Sequence, residues 1–281
     1  MVRRAIHSFC GKDYNEFELF EYSCYFILSC LYATKNGIYM DIYTDDIFSE
    51  YIDMAPYKTK NIIDCKCAAN NIFTSYSKVI SLQNEPLGTI HLDCGVLVKD
   101  KDAKKMLDFA GYDCIVQNDV LDTSLDQRLN QTTNILQSIM YPYCMARDFN
   151  KSYNSSVLGF NNEKLRNEWC EQYISMMNDI QEKSISFLPN SKPNTILDEQ
   201  QLAAICDFNR YTVKKLFGGQ MVKHMDKHLD EYENITDKLS NLSRCILLIK
   251  ILNKKVYQKL VDKWYDKYAE FFNIEIGNVI I

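Results

Sequence analysis

The sequence predicts an α/β fold: a mainly parallel, Rossmann-like sheet flanked by helices, with a helical C-terminal segment. Three observations predict it. Strand-like and helix-like stretches alternate through the first 118 residues, and repeated β-α-β units of that length favour a parallel sheet covered on both faces. Residues 88–100, GTIHLDCGVLVKD, are an apolar run introduced by a Pro-Leu-Gly turn, as a buried strand should be. Residues 238–272 alternate Leu, Ile, Val, Trp and Tyr with lysines at helical spacing.

The elements follow in order. Residues 4–9 make a short first strand. Residues 15–35 read as a helix with few polar positions, stopped by Asn36-Gly37, which suits a left-handed cap. Residues 38–43 form a second strand ending in Thr44-Asp45-Asp46, residues 61–64 a brief third, and residues 73–82 a helix before the strand at 88–100. A short helix at 101–109 and a strand at 112–117 close the first half. Residues 119–134 are polar and read as loop or irregular helix. A strand at 157–160 precedes a helix from 162 to 181, capped by Asn161 or Asn162. Residues 186–194 are loop, and Asp198 opens a helix to 208. The chain divides into residues 1–118, residues 119–237 as the second half of the same domain, and residues 238–281 as C-terminal amphipathic helices. The lysine-rich tail reads as a solvated helix face, with a patch for a partner or an anionic membrane surface as the other reading.

Composition limits the function classes. At 281 residues, 47% hydrophobic and 25% charged, the chain can build a substantial core. A net charge of −5 sets it against nucleic-acid binding. Eleven cysteines, an odd number, with no continuous apolar stretch of a secretory signal at the N-terminus, point to reduced, mostly buried thiols in a cytoplasm. Cys65 and Cys67 have no matching pair at zinc-site spacing and read as strand-end or loop cysteines. The apolar stretch 24–33 is far short of the ~20 residues that span a bilayer, so no transmembrane segment is expected.

Ligands of a parallel sheet sit outside the carboxyl ends of its strands. Three polar signals fall there: His7-Ser8, Thr44-Asp45 and Asp93. A carboxylate inside an apolar run needs a reason, because an unpaired buried charge is costly. Pairing with a lysine, capping a backbone N–H, or a metal would each supply one. Asp45 and Asp46 also suit a turn cap.

The run PLGTIHLDCGVL at residues 86–97 resembles the strand of GT-A-fold glycosyltransferases that ends in the Asp-X-Asp motif, above all in a bacterial and phage group of glycosyltransferase-like proteins reading roughly P-x-G-x-x-H-I-D-G-D-V-F there. AIHSF at residues 5–9 is similar to that group's first strand, and IYTD at 42–45 to its second-strand ending. SKVISL at 77–82 sits where the group has a helix with a lysine before the motif. YNSSVLGFN at 153–161 is like the later segment Y-N-x-G-(I/V)-(I/L)-G-G-N on the acceptor side. Asp198-Glu199-Gln200 resembles a helix-opening Glu-Gln, and His228-Leu229 with Lys238 a C-terminal His-Leu segment with a downstream lysine.

The resemblance implies a GT-A-like fold and a nucleotide-sugar donor, UDP- or GDP-linked, with residues 1–118 as the donor-binding half and 119–237 as the acceptor side. It implies His7, Asp45, Lys78, Asp93 and Lys238 toward the donor, and Asn154, Ser155 and Glu199 toward an unknown glycan, lipid or protein acceptor. His7 reads equally as a strand-end hydrogen-bonder. Mn²⁺ or Mg²⁺ held by carboxylates commonly stabilises the leaving diphosphate. Asp93 matches the first motif position, but the last is Gly95, which offers no ligand, and Cys94 is a poor partner for a hard cation. Three readings follow: a metal held by Asp93 with His228 and waters; metal-independent stabilisation by Lys78 or Lys238; or a fold that has lost catalysis. His224 and His228, at i and i+4 beside Lys223 and Lys227, also read as a solvated basic helix face. Competing functions are a non-catalytic binding or structural protein, and another α/β enzyme such as a nucleotidyltransferase, which needs a second carboxylate near Asp93.

Overall fold

A computed structural model describes residues 4–65, 74–98, 103, 105–106, 108–120, 152–182, 195–216 and 235–273. The elements are β1 (Arg4–Phe9), α1 (Glu16–Lys35), β2 (Tyr39–Thr44), α2 (Asp46–Tyr51), β3 (Thr59–Ile62), α3 (Tyr76–Asn84), β4 (Ile90–Leu92), β5 (Cys114–Val120), β6 (Ser152–Phe160), α4 (Glu163–Glu182), a π-helical turn (Thr195–Gln200), α5 (Gln201–Asn209), β7 (Val213–Lys215), α6 (Ile235–Leu252) and α7 (Lys254–Phe272). Seven strands form one sheet in the order β3-β2-β1-β4-β6-β5-β7. β3, β2, β1 and β4 are parallel, β6 runs antiparallel to both neighbours, and β7 pairs parallel with β5. The expected α/β class, mainly parallel and helical at its C-terminal end, is what is found.

Each face of the sheet is covered. Ile6, Tyr43, Val116, Leu158 and Phe160 lie in one core with Val79 of α3 and Trp169, Tyr173 and Met176 of α4. The other face carries Ala5, Ile90, Leu92, Ile115 and Val157 in one cluster, and Ile42 in another with α1, α6 and α7. α1 starts in a reciprocal capping box, the Asn15 side chain accepting from Glu18 N–H and the Glu18 carboxylate from Asn15 N–H. It ends at Asn36, with Gly37 at φ +72°. Thirteen of its residues from Leu19 to Ala33 are buried, because the C-terminal helices cover the side the sheet leaves open. Phe20 stacks on Tyr268 at 4.1 Å between ring centroids, and Tyr51 on Trp264 at 4.8 Å. The opposite side of α7 exposes Lys254, Lys255, Lys259, Lys263 and Lys267. Asn162 is the cap of α4, its side-chain oxygen accepting from Leu165 N–H at 3.2 Å.

The structure corrects four readings. The strand in residues 88–100 is only Ile90–Leu92. Cys94 and Gly95 form a turn after Asp93, closed by Val96 N–H to the Asp93 carbonyl at 3.0 Å. β5 continues to Val120, and β6 begins at Ser152, so both reach further than the apolar pattern indicates. Asp198 caps nothing: α5 begins after Gln200, and Asp198 lies in the π-helical turn before it. Cys10, just after β1, and Cys65, just after β3, are joined in a disulfide rather than reduced, their Cα atoms 6.1 Å apart. Seven other described cysteines are free, six of them buried. Cys67 and the loops expected at 121–134 and 186–194 lie outside the described residues.

Candidate functional site

The carboxyl edge of β4 meets the amino end of β6, because those strands run in opposite directions. Register between β5 and β6 shifts after Val116, where β6 carries extra residues across from Gln117. That irregularity is set by Asn154, whose side-chain oxygen accepts from Ser156 N–H two residues on at 2.9 Å, the Asx-turn pattern. The Ser156 carbonyl accepts from Asp93 N–H at 2.8 Å. Asp93 and Ser155 are thereby brought to one place from distant parts of the chain.

Lys78, in the first turn of α3, fills that place. Its ammonium lies 3.2 Å from Asp93 Oδ1, 3.0 Å from Asp198 Oδ2, and 3.0 Å from Ser155 Oγ, with the Ser155 carbonyl at 3.3 Å. Asp198 Oδ2 also accepts from Ser75 Oγ and Ser155 Oγ, each at 2.8 Å. Glu199 accepts from Ser155 N–H at 3.2 Å. Lys78, Asp198 and Ser155 are buried, whereas the Asp93 side chain is 30% exposed and is the part that solvent or a ligand reaches. Asp198 Oδ1 is buried without a donor.

Burial works against the Lys78 charge, but Asp198 and Asp93 outweigh it and hold its pKa above the ordinary lysine value. Burial, then Asp198, pushes the Glu199 carboxyl up to about 8, so it is mostly protonated at neutral pH. His91, on β4, is driven well below its ordinary pKa by burial and by Lys78. Its Nε2 pairs with Ser8 Oγ at 2.7 Å, while Nδ1 is buried without a hydrogen-bond partner, 3.5 Å from Asp93 Oδ1.

A divalent ion does not fit this donor set. Hard cations take several oxygen ligands, but Cys94 and Gly95 give the Asp93 turn no second carboxylate. Among the described residues no three His, Cys, Asp or Glu side chains could hold a metal. The second carboxylate that a nucleotidyltransferase would need is Asp198, and the Lys78 ammonium stands between it and Asp93.

The other expected residues are placed elsewhere or outside the described part. His7 is fully buried on the α1 side of β1, its Nδ1 2.6 Å from Tyr57 Oη and its Nε2 3.1 Å from Ser29 Oγ. Ser29 also donates to the Val96 carbonyl at 2.7 Å, and Tyr57 to the Phe26 carbonyl at 3.3 Å. Burial lowers the His7 pKa to about 3, and the ring is neutral. Asp45 caps α2, accepting from Phe48, Gly11 and Lys12 N–H groups at 2.7–2.9 Å. The approach demands glycine at 11, where a Cβ would meet Phe48 Cβ at 2.9 Å. The backbone of Lys238 belongs to α6; its side chain, like the whole of His224 and His228, lies outside the described residues. Sequence reasoning missed Asp198, Ser75 and His91 as members of the site. Asp198 had a signal as the neighbour of Glu199, and His91 had one in matching the histidine of the P-x-G-x-x-H-I-D pattern.

No protein-family model and no curated protein matches the sequence. Among solved structures the chain is similar to the galactosyltransferase LgtC in complex with donor and acceptor sugar analogues, at 14% identity and a TM-score of 0.41, over 75% of this chain and 72% of that one. An active-site mutant of LgtC gives 11% and 0.43 over the same shares. Mouse xyloside xylosyltransferase 1, in its apo form, gives 11% and 0.33 over 76% and 77%. Likeness of this degree assigns no activity. Among the described residues, no helix is long and apolar enough to cross a membrane.

Proposed function

We propose that the chain is a glycosyltransferase-like protein that binds a nucleotide-sugar at the carboxyl edge of β4, with Asp93 facing the donor. What supports this is the convergence of Lys78, Asp93, Ser155, Asp198 and Glu199, drawn from the separate segments that carry the GT-A resemblance, in one polar cluster. Glu199, protonated at neutral pH, can give a proton to a leaving or entering oxygen.

Titration calorimetry with UDP, GDP and their sugar conjugates tests the reading. Micromolar binding of one of them, weakened at least tenfold by Asp93→Ala, is expected; no binding of any would sink it. A second, non-catalytic reading draws on the four oxygens already packed around Lys78, which leave it no donor for a phosphate. A protein that binds the conjugate yet never releases its sugar, with or without candidate acceptors, would favour that one. We also place the chain in the cytoplasm, on the free cysteines. Cys10–Cys65 stands against this, since such bonds are rare there; alkylation trapping of the two thiols in cells decides it.

A further inference from the structure

We propose that the Lys78 ammonium is the resident cation of this site, and that the site takes a nucleoside diphosphate without a divalent metal. The proposal rests on the donor-binding reading above. An anionic diphosphate approaching the exposed Asp93 would meet the field of two carboxylates, and a cation between them offsets one of the two charges. In this chain a cation does lie there, within 3.2 Å of an oxygen of each, and it is covalently tethered. Its surroundings are built to keep it: Ser155 contributes both its hydroxyl and its carbonyl, and Ser75 turns its hydroxyl to the same Asp198 oxygen.

Among the described residues, nothing completes a metal site on Asp93. An ion bound there would share Asp93 Oδ1 with an ammonium 3.2 Å away and find no further carboxylate on the turn, since Cys94 and Gly95 follow. The His91 ring is no replacement ligand. Its Nδ1 does lie 3.5 Å from Asp93 Oδ1, but Lys78 presses on the same ring and opposes any added positive charge.

Mn²⁺ alone, titrated into the full chain and followed by the electron paramagnetic resonance signal of free Mn²⁺, tests this without any nucleotide. The wild type is expected to show no stoichiometric uptake up to millimolar Mn²⁺. Affinity for UDP or GDP is expected to stay within twofold between EDTA and Mn²⁺. Lys78→Met, which empties the position between the carboxylates, is expected to take up Mn²⁺ at least tenfold more tightly than wild type. Stoichiometric uptake by the wild type that Asp93→Asn abolishes, or a tenfold loss of nucleotide affinity in EDTA, would overturn the proposal. So would a folded Lys78→Met protein that gains no uptake. If circular dichroism shows that variant unfolded, the wild-type and Asp93→Asn titrations decide alone. If neither nucleotide binds under any condition, the donor-binding reading fails while the Mn²⁺ titration still rules on the cation.

Discussion

The indole Nε1 of Trp169 donates to the backbone carbonyl of Asp198 at 3.1 Å. Through this bond the buried side of α4 fixes the π-helical turn that aims Asp198 at Lys78. Trp169→Phe keeps an aromatic ring and deletes the donor. It should cost about 1–2 kcal/mol in denaturant unfolding, as an orphaned buried acceptor does, and weaken nucleotide binding several-fold by calorimetry. Lost stability with unchanged nucleotide affinity would show that the bond braces α4 without positioning Asp198.

Lys78→Met leaves Asp198 buried without its cation. Breaking a buried pair on one side costs about 3–5 kcal/mol, and this variant should lie in that range by urea denaturation. Adding Asp198→Asn removes the stranded carboxylate and should recover at least half of the loss. A double variant as unstable as the sum of the singles would mean that the two residues are not coupled.

Glu199 sets a pH dependence. Its folded pKa, near 8, lies above the ordinary carboxyl value of 4.5. The folded state therefore holds the proton more tightly, so this stabilisation is full below about pH 4.5 and is lost as pH rises through 8. The difference in unfolding free energy between wild type and Glu199→Gln should shift against the wild type by at most about 1.4 kcal/mol per pH unit across that window. Parallel stability–pH curves for the two proteins would refute the assignment.

Cys10 and Cys65 close a loop of 55 residues. In the chain-entropy account, opening such a loop costs about 4 kcal/mol. Dithiothreitol, or Cys10→Ser, should lower the melting temperature, and the reductant should do nothing further to the variant. Equal sensitivity to reductant in both proteins would place the effect elsewhere.

Trp264 joins α7 to the first half by stacking on Tyr51, with Phe20 beside it. Trp264→Ala should cost about 3–5 kcal/mol and reduce the near-ultraviolet circular dichroism. Trp264→Phe should cost less, because the indole Nε1 is buried without a partner.

Most of the fold was legible because its elements carry strong local signals. α1 has its Asn-Gly stop, α4 has Asn162, and the C-terminal helices have apolar periodicity. What was not legible depends on residues far apart in sequence. The strand around Asp93 shortens because β1 pairs with it only through Ala5 and Ile6. Asp198 leaves its cap role because Lys78, 120 residues earlier, needs a counter-charge. Within the candidate site, Asp93, Lys78, Ser155 and Glu199 were visible through the resemblance, while Ser75 carried no signal and His91 was marked only as the histidine of the motif. Asp45 occupies the expected strand end while His7 lies inside β1, and strand position alone does not reveal which neighbours a polar side chain will meet.

The packing of α1 against α6 and α7 has a consequence for synthesis. α1 is translated well before α6 and α7, the helices that shield its outer side. Until residues 235–272 have been translated, the growing chain carries an uncovered oily helix. A nascent chain stalled before that point should be held by a chaperone that binds exposed apolar segments, and should be released once the C-terminal pair arrives.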